Sequence, residues 1–173
     1  MTEEKIRYLI HESTQKNDVH IIEGVMGLFD GTKNQSSSTA EFVKKFKIPV
    51  LLILDASGQS QTLAAICKGI MNYDTEINFI GVILNNISSE RHYNLINEEL
   101  EKSKIKVLGY LPKSDDLIFP RRHLGLFLAE HVENYQYLIN CAANLIEKYI
   151  DIEEIIKLSN VINDDQESKI RES

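Results

Sequence analysis

Residues 49–55 of the chain read Pro-Val-Leu-Leu-Ile-Leu-Asp, a continuous apolar run that closes on an acid. The pattern recurs at 19–23, 79–85 and 107–112, which end in Glu, Asn and Pro. Segments with helical spacing of apolar residues separate the later runs, at 60–73 and 89–102. Short apolar strands that alternate with helices are typical of a parallel sheet buried on both faces. The sequence therefore predicts an α/β fold in which four parallel strands lie between helices.

Further helices are expected on either side of these runs. Apolar residues at helical spacing predict a helix over 3–16, and Ser38-Thr-Ala-Glu41 has the layout of a capping box that opens another. Asp151 with Glu154 has the same capping potential. After a loop at 113–129, a stripe of apolar residues recurs every three or four positions: Val132, Tyr135, Ile139, Ala142, Ile146 and Tyr149. The stripe spans fewer than three heptads, so a helix packed on the sheet is favoured over a coiled coil.

Composition excludes several classes of protein. The 173 residues suit one domain, and 26 acidic against 19 basic side chains give a net charge of −7, which argues against a nucleic-acid binder. The longest apolar run, at 48–54, is too short to span a membrane, and the N-terminus lacks a secretory signal. Cys67 and Cys141 have no metal-ligand spacing and are typical of buried residues in a reducing compartment. These features predict a cytoplasmic protein.

Polar side chains close the predicted strands, at Glu23, Asp55 and Asn85. In an open parallel sheet, ligands bind beyond the carboxyl ends of the strands, so this edge is the expected site. The sharpest local signal is Glu23-Gly-Val-Met-Gly-Leu-Phe-Asp-Gly31, a glycine-rich loop that carries two carboxylates, Glu23 and Asp30. Such oxygen ligands suit Mg²⁺; a glycine turn with solvated acids is the alternative. No Gly-x-x-x-x-Gly-Lys-Ser/Thr motif occurs within residues 1–173.

Eight motifs resemble, in order and spacing, those of the cobyrinic acid a,c-diamide synthase family. They are Glu23-Gly-Val-Met-Gly-Leu-Phe-Asp-Gly31, Ser37-Ser-Thr-Ala-Glu41, Ile48-Pro-Val-Leu-Leu52, Asp55-Ala-Ser-Gly58, Gly81-Val-Ile-Leu-Asn85, Ser89-Glu-Arg-His-Tyr93, Leu108-Gly-Tyr-Leu-Pro112 and Arg122-His-Leu-Gly-Leu126. The resemblance covers about residues 1–160 and is to the synthetase domain, which is related to dethiobiotin synthetase and has a P-loop NTPase-like fold. It implies a glutamine-dependent amidoligase of cobalamin biosynthesis that uses ATP and Mg²⁺. In this reaction a corrin carboxylate is activated as an acyl phosphate, and ammonia from a glutaminase domain displaces the phosphate.

The resemblance also implies roles for individual residues. Glu23 matches the acid that holds Mg²⁺, and Asp30 matches a second acid that positions substrate or metal for phosphoryl transfer. Asn85 and Pro112 correspond to the edge that binds adenine. The residues expected to face the carboxylate-rich tetrapyrrole are Asp55, Ser57, Gly58, Arg122 and His123. An arginine suits a bidentate grip on such a ligand, whereas a structural histidine is the alternative at His123.

Two departures from the family pattern qualify the implied function. The family's P-loop strand, loop and helix correspond to sequence before residue 1, and its glutaminase domain to sequence after residue 173. Residues 1–160 are therefore expected to form a partial synthetase domain and 161–173 an acidic linker, in a chain that is inactive by itself. Neither cysteine is expected to replace the glutaminase nucleophile.

Three alternatives to that function stay open. The chain is a P-loop-less binding or regulatory module, or it complements a separate N-terminal piece, or it amidates a related ring such as hydrogenobyrinic acid or nickel sirohydrochlorin. Without a central strand, uncovered apolar surface predicts low stability or self-association, for example as a homodimer.

Overall fold

The structure, a computed structural model, describes residues 3–14, 19–32, 37–114 and 135–159, with a parallel sheet at their centre. The described elements follow in chain order as α1 (Glu3–Thr14), α2 (Thr39–Phe46), β1 (Val50–Asp55), α3 (Gln61–Tyr73), β2 (Phe79–Ile87), α4 (Glu90–Lys102), β3 (Val107–Pro112), α5 (Tyr135–Tyr149) and α6 (Ile152–Ser159). Strands and helices alternate from β1 to β3, as the apolar runs predicted. No helix in these ranges is long and apolar enough to cross a membrane.

The sheet has the order β1-β2-β3, and both strand pairs are parallel. Val82 and Leu84 of β2 are fully buried against one layer of helices. That layer consists of α3 and α4, which contribute the buried side chains Leu63, Ala64, Cys67, Ile96 and Leu100. Because β2 is central and covered, its sequence is apolar without alternation, as expected for a parallel sheet. The predicted α/β class is confirmed.

The junction of α5 and α6 pairs with the outer edge of β3. Gly109 pairs in register with Ile83, whose side chain points away from the α3–α4 layer. Ile150 forms an antiparallel bridge with Gly109, and the Asp151 amide donates a 2.9 Å hydrogen bond to the Leu108 carbonyl. A Cβ atom at Gly109 would lie 2.7 Å from the Ile150 Cα, so glycine permits this close approach. The junction thereby covers the outer edge of β3.

The capping predictions are confirmed for α2 and α6. Ser38 caps α2, since its hydroxyl accepts a 3.2 Å hydrogen bond from the Glu41 amide. Asp151 caps α6 in the same way, with its carboxylate 3.0 Å from the Glu154 amide nitrogen. The apolar stripe predicted from Val132 is helical from Tyr135, and residues 115–134 lie outside the described ranges. The predicted boundary at 160 also lies outside them.

The strand predicted at 19–22 is wrong. These residues have no strand pairing, and Ile21 is 91% exposed. Within the described residues β1 hydrogen-bonds only to β2, so its other edge offers an unpaired row of backbone groups. An apolar run forms a strand only where a neighbour accepts its hydrogen bonds and covers its side chains, and 19–22 has neither here. The described sheet therefore has three strands where the sequence predicted four.

Candidate functional site at the carboxyl edge of the sheet

The carboxyl ends of the three strands bring several predicted site residues to one edge. Asp55 and Asn85 are register partners across β1 and β2, and Pro112 pairs with Ile87 across β2 and β3. Pairing with β2 also continues one residue past the end of β1, where the Ala56 amide donates a 2.8 Å hydrogen bond to the Asn85 carbonyl. The strand-end rule predicted that Asp55 and Asn85 share one edge, and the strand order makes them direct neighbours there.

Asp55 is the centre of a small hydrogen-bond network on this edge. Its Oδ1 atom accepts from the Ser57 hydroxyl at 2.6 Å, from the Ser57 amide at 2.9 Å and from the Asn86 Nδ2 atom at 2.9 Å. These bonds favour the ionised form, the Ser57 hydroxyl most strongly, and lower the pKa of Asp55 from its ordinary value of 3.8 to about 2. Asp55 is thus a permanently charged acceptor that orders the loop after β1, although its side chain is exposed.

Asn86 is a member of this network that the sequence did not single out. Its backbone is left-handed, with φ at +61°, within an otherwise extended strand. Asparagine tolerates this region better than most residues, and the bond to Asp55 holds its side chain across β1 and β2. The Asn85 side chain instead accepts from the Asn86 amide at 3.0 Å. The consecutive asparagines Asn85 and Asn86 were the feature of the sequence that could have indicated this role. Sequence alone does not tell which of the two side chains bonds to Asp55.

A shallow cleft of about 310 Å³ opens beside this network. It lies between the β1–α3 loop and the start of α4 and is lined by Gly58, Gln59, Ser88, Ser89, Arg91, His92 and Leu95. Gly58 has φ at +67°, a conformation that favours glycine. The predicted substrate residues Ser57 and Gly58 therefore lie on the loop that forms one wall. Arg122 and His123, predicted to contact the same ligand, lie outside the described residues.

The glycine-rich loop is anchored by its apolar residues. Leu28 and Phe29 pack with the cluster that contains Ala40, Val43 and Ile77, and the Ala40 amide donates to the Leu28 carbonyl at 2.9 Å. A Cβ atom at Gly27 would lie 3.1 Å from the Asp30 carboxyl carbon, so glycine leaves room for that carboxylate. The loop consequently docks against the start of α2.

Both predicted acids of this loop, Glu23 and Asp30, are exposed. No group of three or more His, Cys, Asp or Glu side chains in the described ranges could hold a metal ion. One or two exposed carboxylates are still the donor set that Mg²⁺ takes when phosphate oxygens and water complete its shell. The Glu23 carboxylate is thus a ligand of the type that Mg²⁺ takes, whereas residues 1–173 contain no Walker A cradle for the phosphates.

Cys67 is unsuited to nucleophilic chemistry. Its side chain is fully buried on α3, and burial raises the pKa of the thiol to about 11. A thiol at this pKa holds almost no thiolate at neutral pH. The prediction that Cys67 is a structural core residue agrees with this environment.

Comparison with known proteins identifies what the chain is similar to. It is 40% identical over 159 residues to the cobyrinate a,c-diamide synthase of Caldanaerobacter subterraneus subsp. tengcongensis, covering 91% of this chain and 35% of that protein. It is 39% identical over 162 residues to the hydrogenobyrinate a,c-diamide synthase of Agrobacterium fabrum. That match covers 92% of this chain and 37% of that protein. The Clostridium acetobutylicum cobyrinate a,c-diamide synthase is 44% identical over 151 residues. That match covers 85% of this chain and 34% of that protein. No solved structure matches significantly.

These matches confirm the resemblance to the a,c-diamide synthases. They also show how much of each relative the resemblance covers. The chain spans about a third of the length of the curated relatives that it matches. The family described as AAA domain matches residues 2–121, which include the glycine-rich loop and all three strands. The fold and this match agree on a P-loop NTPase-like α/β architecture. The chain therefore belongs to the AAA domain family.

Proposed function

We propose that this chain is part of a glutamine- and ATP-dependent amidoligase that converts the a and c carboxylates of cobyrinic acid to amides. The observation that carries the proposal is the 35–44% identity, over most of this chain, to proteins named for a,c-diamide synthesis. The cluster at the carboxyl edge of the sheet supports it, since ligands of such sheets bind there. The proposed enzyme is a cytoplasmic carbon–nitrogen ligase of cobalamin biosynthesis.

The proposed reaction has two steps, phosphoryl transfer from ATP and displacement of phosphate by ammonia. The substrate carboxylate attacks the γ-phosphorus of ATP, and ADP leaves. Ammonia, supplied from glutamine by a separate glutaminase domain, then attacks the acyl phosphate and releases inorganic phosphate. Mg²⁺ at Glu23 would neutralise phosphate charge, and Asp30 would position the reacting groups. Transfer of this kind depends chiefly on positioning and charge neutralisation.

The residues near the strand ends divide into those that would contact the adenine and those that would border the tetrapyrrole. Asn85 and Pro112 would contact the adenine, because both lie near the carboxyl ends of the neighbouring strands β2 and β3. Ser57, Gly58 and the Asp55 network would border the tetrapyrrole, together with Arg122 and His123. Since Asp55 is already bonded to its own loop, we assign it to ordering that wall.

A second candidate ring is supported by one relative. The Agrobacterium fabrum protein is named for hydrogenobyrinate and is 39% identical to this chain. Hydrogenobyrinic acid lacks the cobalt of cobyrinic acid but presents the same carboxylates. A competition assay with equal concentrations of both rings would separate the two candidates by their relative kcat/KM.

The test is an amidation assay on the complete gene product that contains this chain. It contains Mg-ATP, cobyrinic acid and either glutamine or ammonium, and mass spectrometry counts the amides formed. We expect a diamide, and we expect Glu23→Gln or Asp30→Asn to lower kcat on the order of a hundredfold, because each removes a charge aimed at phosphoryl transfer. Glu4→Gln, an exposed acid on α1, is the matched control and should keep the wild-type rate.

Two outcomes would contradict the proposal: no amide formation with either nitrogen donor, or an unchanged rate in Glu23→Gln.

Calorimetry on residues 1–173 alone adds a separate check. We expect Mg-ATP binding weaker than micromolar, because these residues contain no Walker A loop. Micromolar binding by this chain would instead favour an independent nucleotide-binding module.

A further inference from the structure

His92 joins the two walls of the cleft through both nitrogens of its imidazole ring. The side chain is half-buried in the first turn of α4. Its Nε2 atom lies 2.5 Å from the carbonyl oxygen of Gln59, on the β1–α3 loop. Its Nδ1 atom lies 3.2 Å from the amide nitrogen of Ser88 and 3.1 Å from the Ser88 hydroxyl, on the turn before α4. One side chain thus bonds to both loops.

The two partners assign the tautomer of the ring. A backbone amide can only donate, so Nδ1 must be the acceptor towards Ser88. A carbonyl can only accept, so Nε2 must carry the proton that bonds to Gln59. The ring therefore serves as a neutral Nε2–H imidazole. A protonated ring, or the other tautomer, would lose the bond to the Ser88 amide.

The remaining bonds show which part of the loop depends on His92. Asp55 and Ala56, at the base of the loop, are held to β2 through Asn86 and Asn85. Gln59, at the far end, donates from its side chain to the Asp55 carbonyl at 3.3 Å and from its amide to the Ala56 carbonyl at 3.1 Å. Those two bonds stay within the loop. The His92 ring ties its far end to α4.

We propose that His92 is a positioning residue, which sets the separation of Gly58 and Gln59 from Ser88 and Ser89 across the cleft. The proposal rests on the proposed function, because that function assigns Ser57 and Gly58 to the substrate wall. His92 acts through the loop and need not touch the reacting atoms. Its loss should leave the base of the loop in place and release the far end.

Three substitutions of His92 distinguish two possible roles of its side chain, positioning of the β1–α3 loop and stabilisation of α4. His92→Ala removes both bonds. His92→Gln retains an amide N–H that can reach the Gln59 carbonyl, whereas His92→Asn retains an oxygen that can accept from the Ser88 amide but is too short to reach Gln59. Gln61→Ala is the matched control, because it removes a 3.3 Å bond between α3 and Glu99 of α4 without touching either loop. Thermal melts establish that each variant is folded.

The first measurement is amide hydrogen exchange on the 173-residue chain. The Ser57 amide bonds to Asp55 at the base of the loop, so it should keep its wild-type exchange rate in every variant. We expect roughly fivefold to tenfold faster exchange at Gln59 in His92→Ala and His92→Asn, the effect of losing one hydrogen bond. His92→Gln and Gln61→Ala should exchange at the wild-type rate there, and strand β2 should be unchanged in all variants. Imidazole nitrogen shifts of the wild type should report the Nε2–H tautomer. Unaltered exchange in His92→Ala, or the Nδ1–H tautomer, would overturn the proposal.

The second measurement is cobyrinic acid binding by the complete gene product. We expect the Kd to rise roughly tenfold in His92→Asn and to stay near wild type in His92→Gln, since only the latter can restrain Gln59. Equal losses in both variants would indicate support of α4 alone and would contradict positioning. If the wild-type protein binds no cobyrinic acid, the proposed function fails, while the exchange and tautomer data still decide whether His92 positions the loop.

Discussion

A single carboxylate oxygen, Oδ1 of Asp55, accepts three hydrogen bonds at the sheet edge. An acid in this state is a poor proton acceptor near neutrality, because its pKa of about 2 keeps it ionised and weakly basic. We therefore regard Asp55 as a fixed negative charge that shapes the loop. Catalytic acid–base work would fall to other groups in the proposed enzyme.

The Asp55 network predicts the order of two mutational effects on a pKa. Ser57→Ala should raise the pKa of Asp55 more than Asn86→Ala, because the Ser57 hydroxyl is the largest cause of the lowering. Carboxyl carbon shifts followed through an acid titration would measure both values. A wild-type midpoint near 3.8 would contradict the network.

The same group sets the sign of a small pH effect on stability. Because the pKa of Asp55 is lower in the folded chain, its contribution to the free energy of unfolding is present above pH 3.8 and is lost as the pH falls towards 2. The contribution is small, since the side chain is exposed to solvent. Asp55→Asn should remove this acid dependence and leave the unfolding free energy at neutral pH little changed.

β3 and the α5–α6 junction approach each other closely at Gly109. Gly109 has φ at +144°, and a Cβ atom there would collide with the backbone of Tyr149 and Ile150. Gly69, on the exposed side of α3, has nothing within 4 Å of its Cβ position. The two glycines therefore differ in surroundings, although the same substitution can be made at each.

Alanine at these glycines should change stability in opposite directions. Gly109→Ala should lower the free energy of unfolding by about 1–3 kcal/mol, through overpacking. Gly69→Ala should raise it by about 0.5–1 kcal/mol, because alanine restricts the unfolded chain and favours helix. Urea denaturation measures both. A stable Gly109→Ala would mean that the α5–α6 junction does not lie against β3.

The elements that the sequence predicted well are those with covered neighbours. β1, β2 and β3 were predicted because continuous apolar runs need two buried faces. Most helices were predicted from apolar residues at helical spacing, and α2 and α6 also from the capping residues before them. The segment at 19–22 has the same composition but no hydrogen-bonding neighbour, which a local pattern cannot report. The same holds for the site: the strand ends predicted that Asp55 and Asn85 share one edge of the sheet, and their direct pairing is known from the register. The roles of Asn86 and His92 depend on one backbone angle and on loop contacts distant in sequence.

At the scale of the whole molecule, large apolar side chains of β1 and of the segment before α2 face solvent. Val25 is 95% exposed, Ile21 91% and Ile53, in the middle of β1, 62%. Apolar side chains of a parallel strand are ordinarily covered on both faces. Exposed apolar surface next to an unpaired strand edge favours association with another chain.

This surface predicts self-association that charge can suppress. Sedimentation velocity over a range of concentrations should detect species larger than the monomer for residues 1–173. The double substitution Val25→Lys with Ile53→Lys should shift the population to monomer, because it replaces exposed apolar side chains with like charges. Ile66→Lys, on exposed α3, is the control and should associate as the wild type does. A wild-type chain that is monomeric and unfolds cooperatively would contradict this expectation.

The cover that Ile150 and Asp151 place over β3 limits how far such association can proceed. Two chains that join along β1 would each turn a blocked β3 border outward, so neither end of the combined sheet could recruit a third copy. Growth into a filament needs two open borders on every subunit, and the described part of this chain offers one. The expected product is therefore a closed pair of fixed stoichiometry, related by a twofold axis.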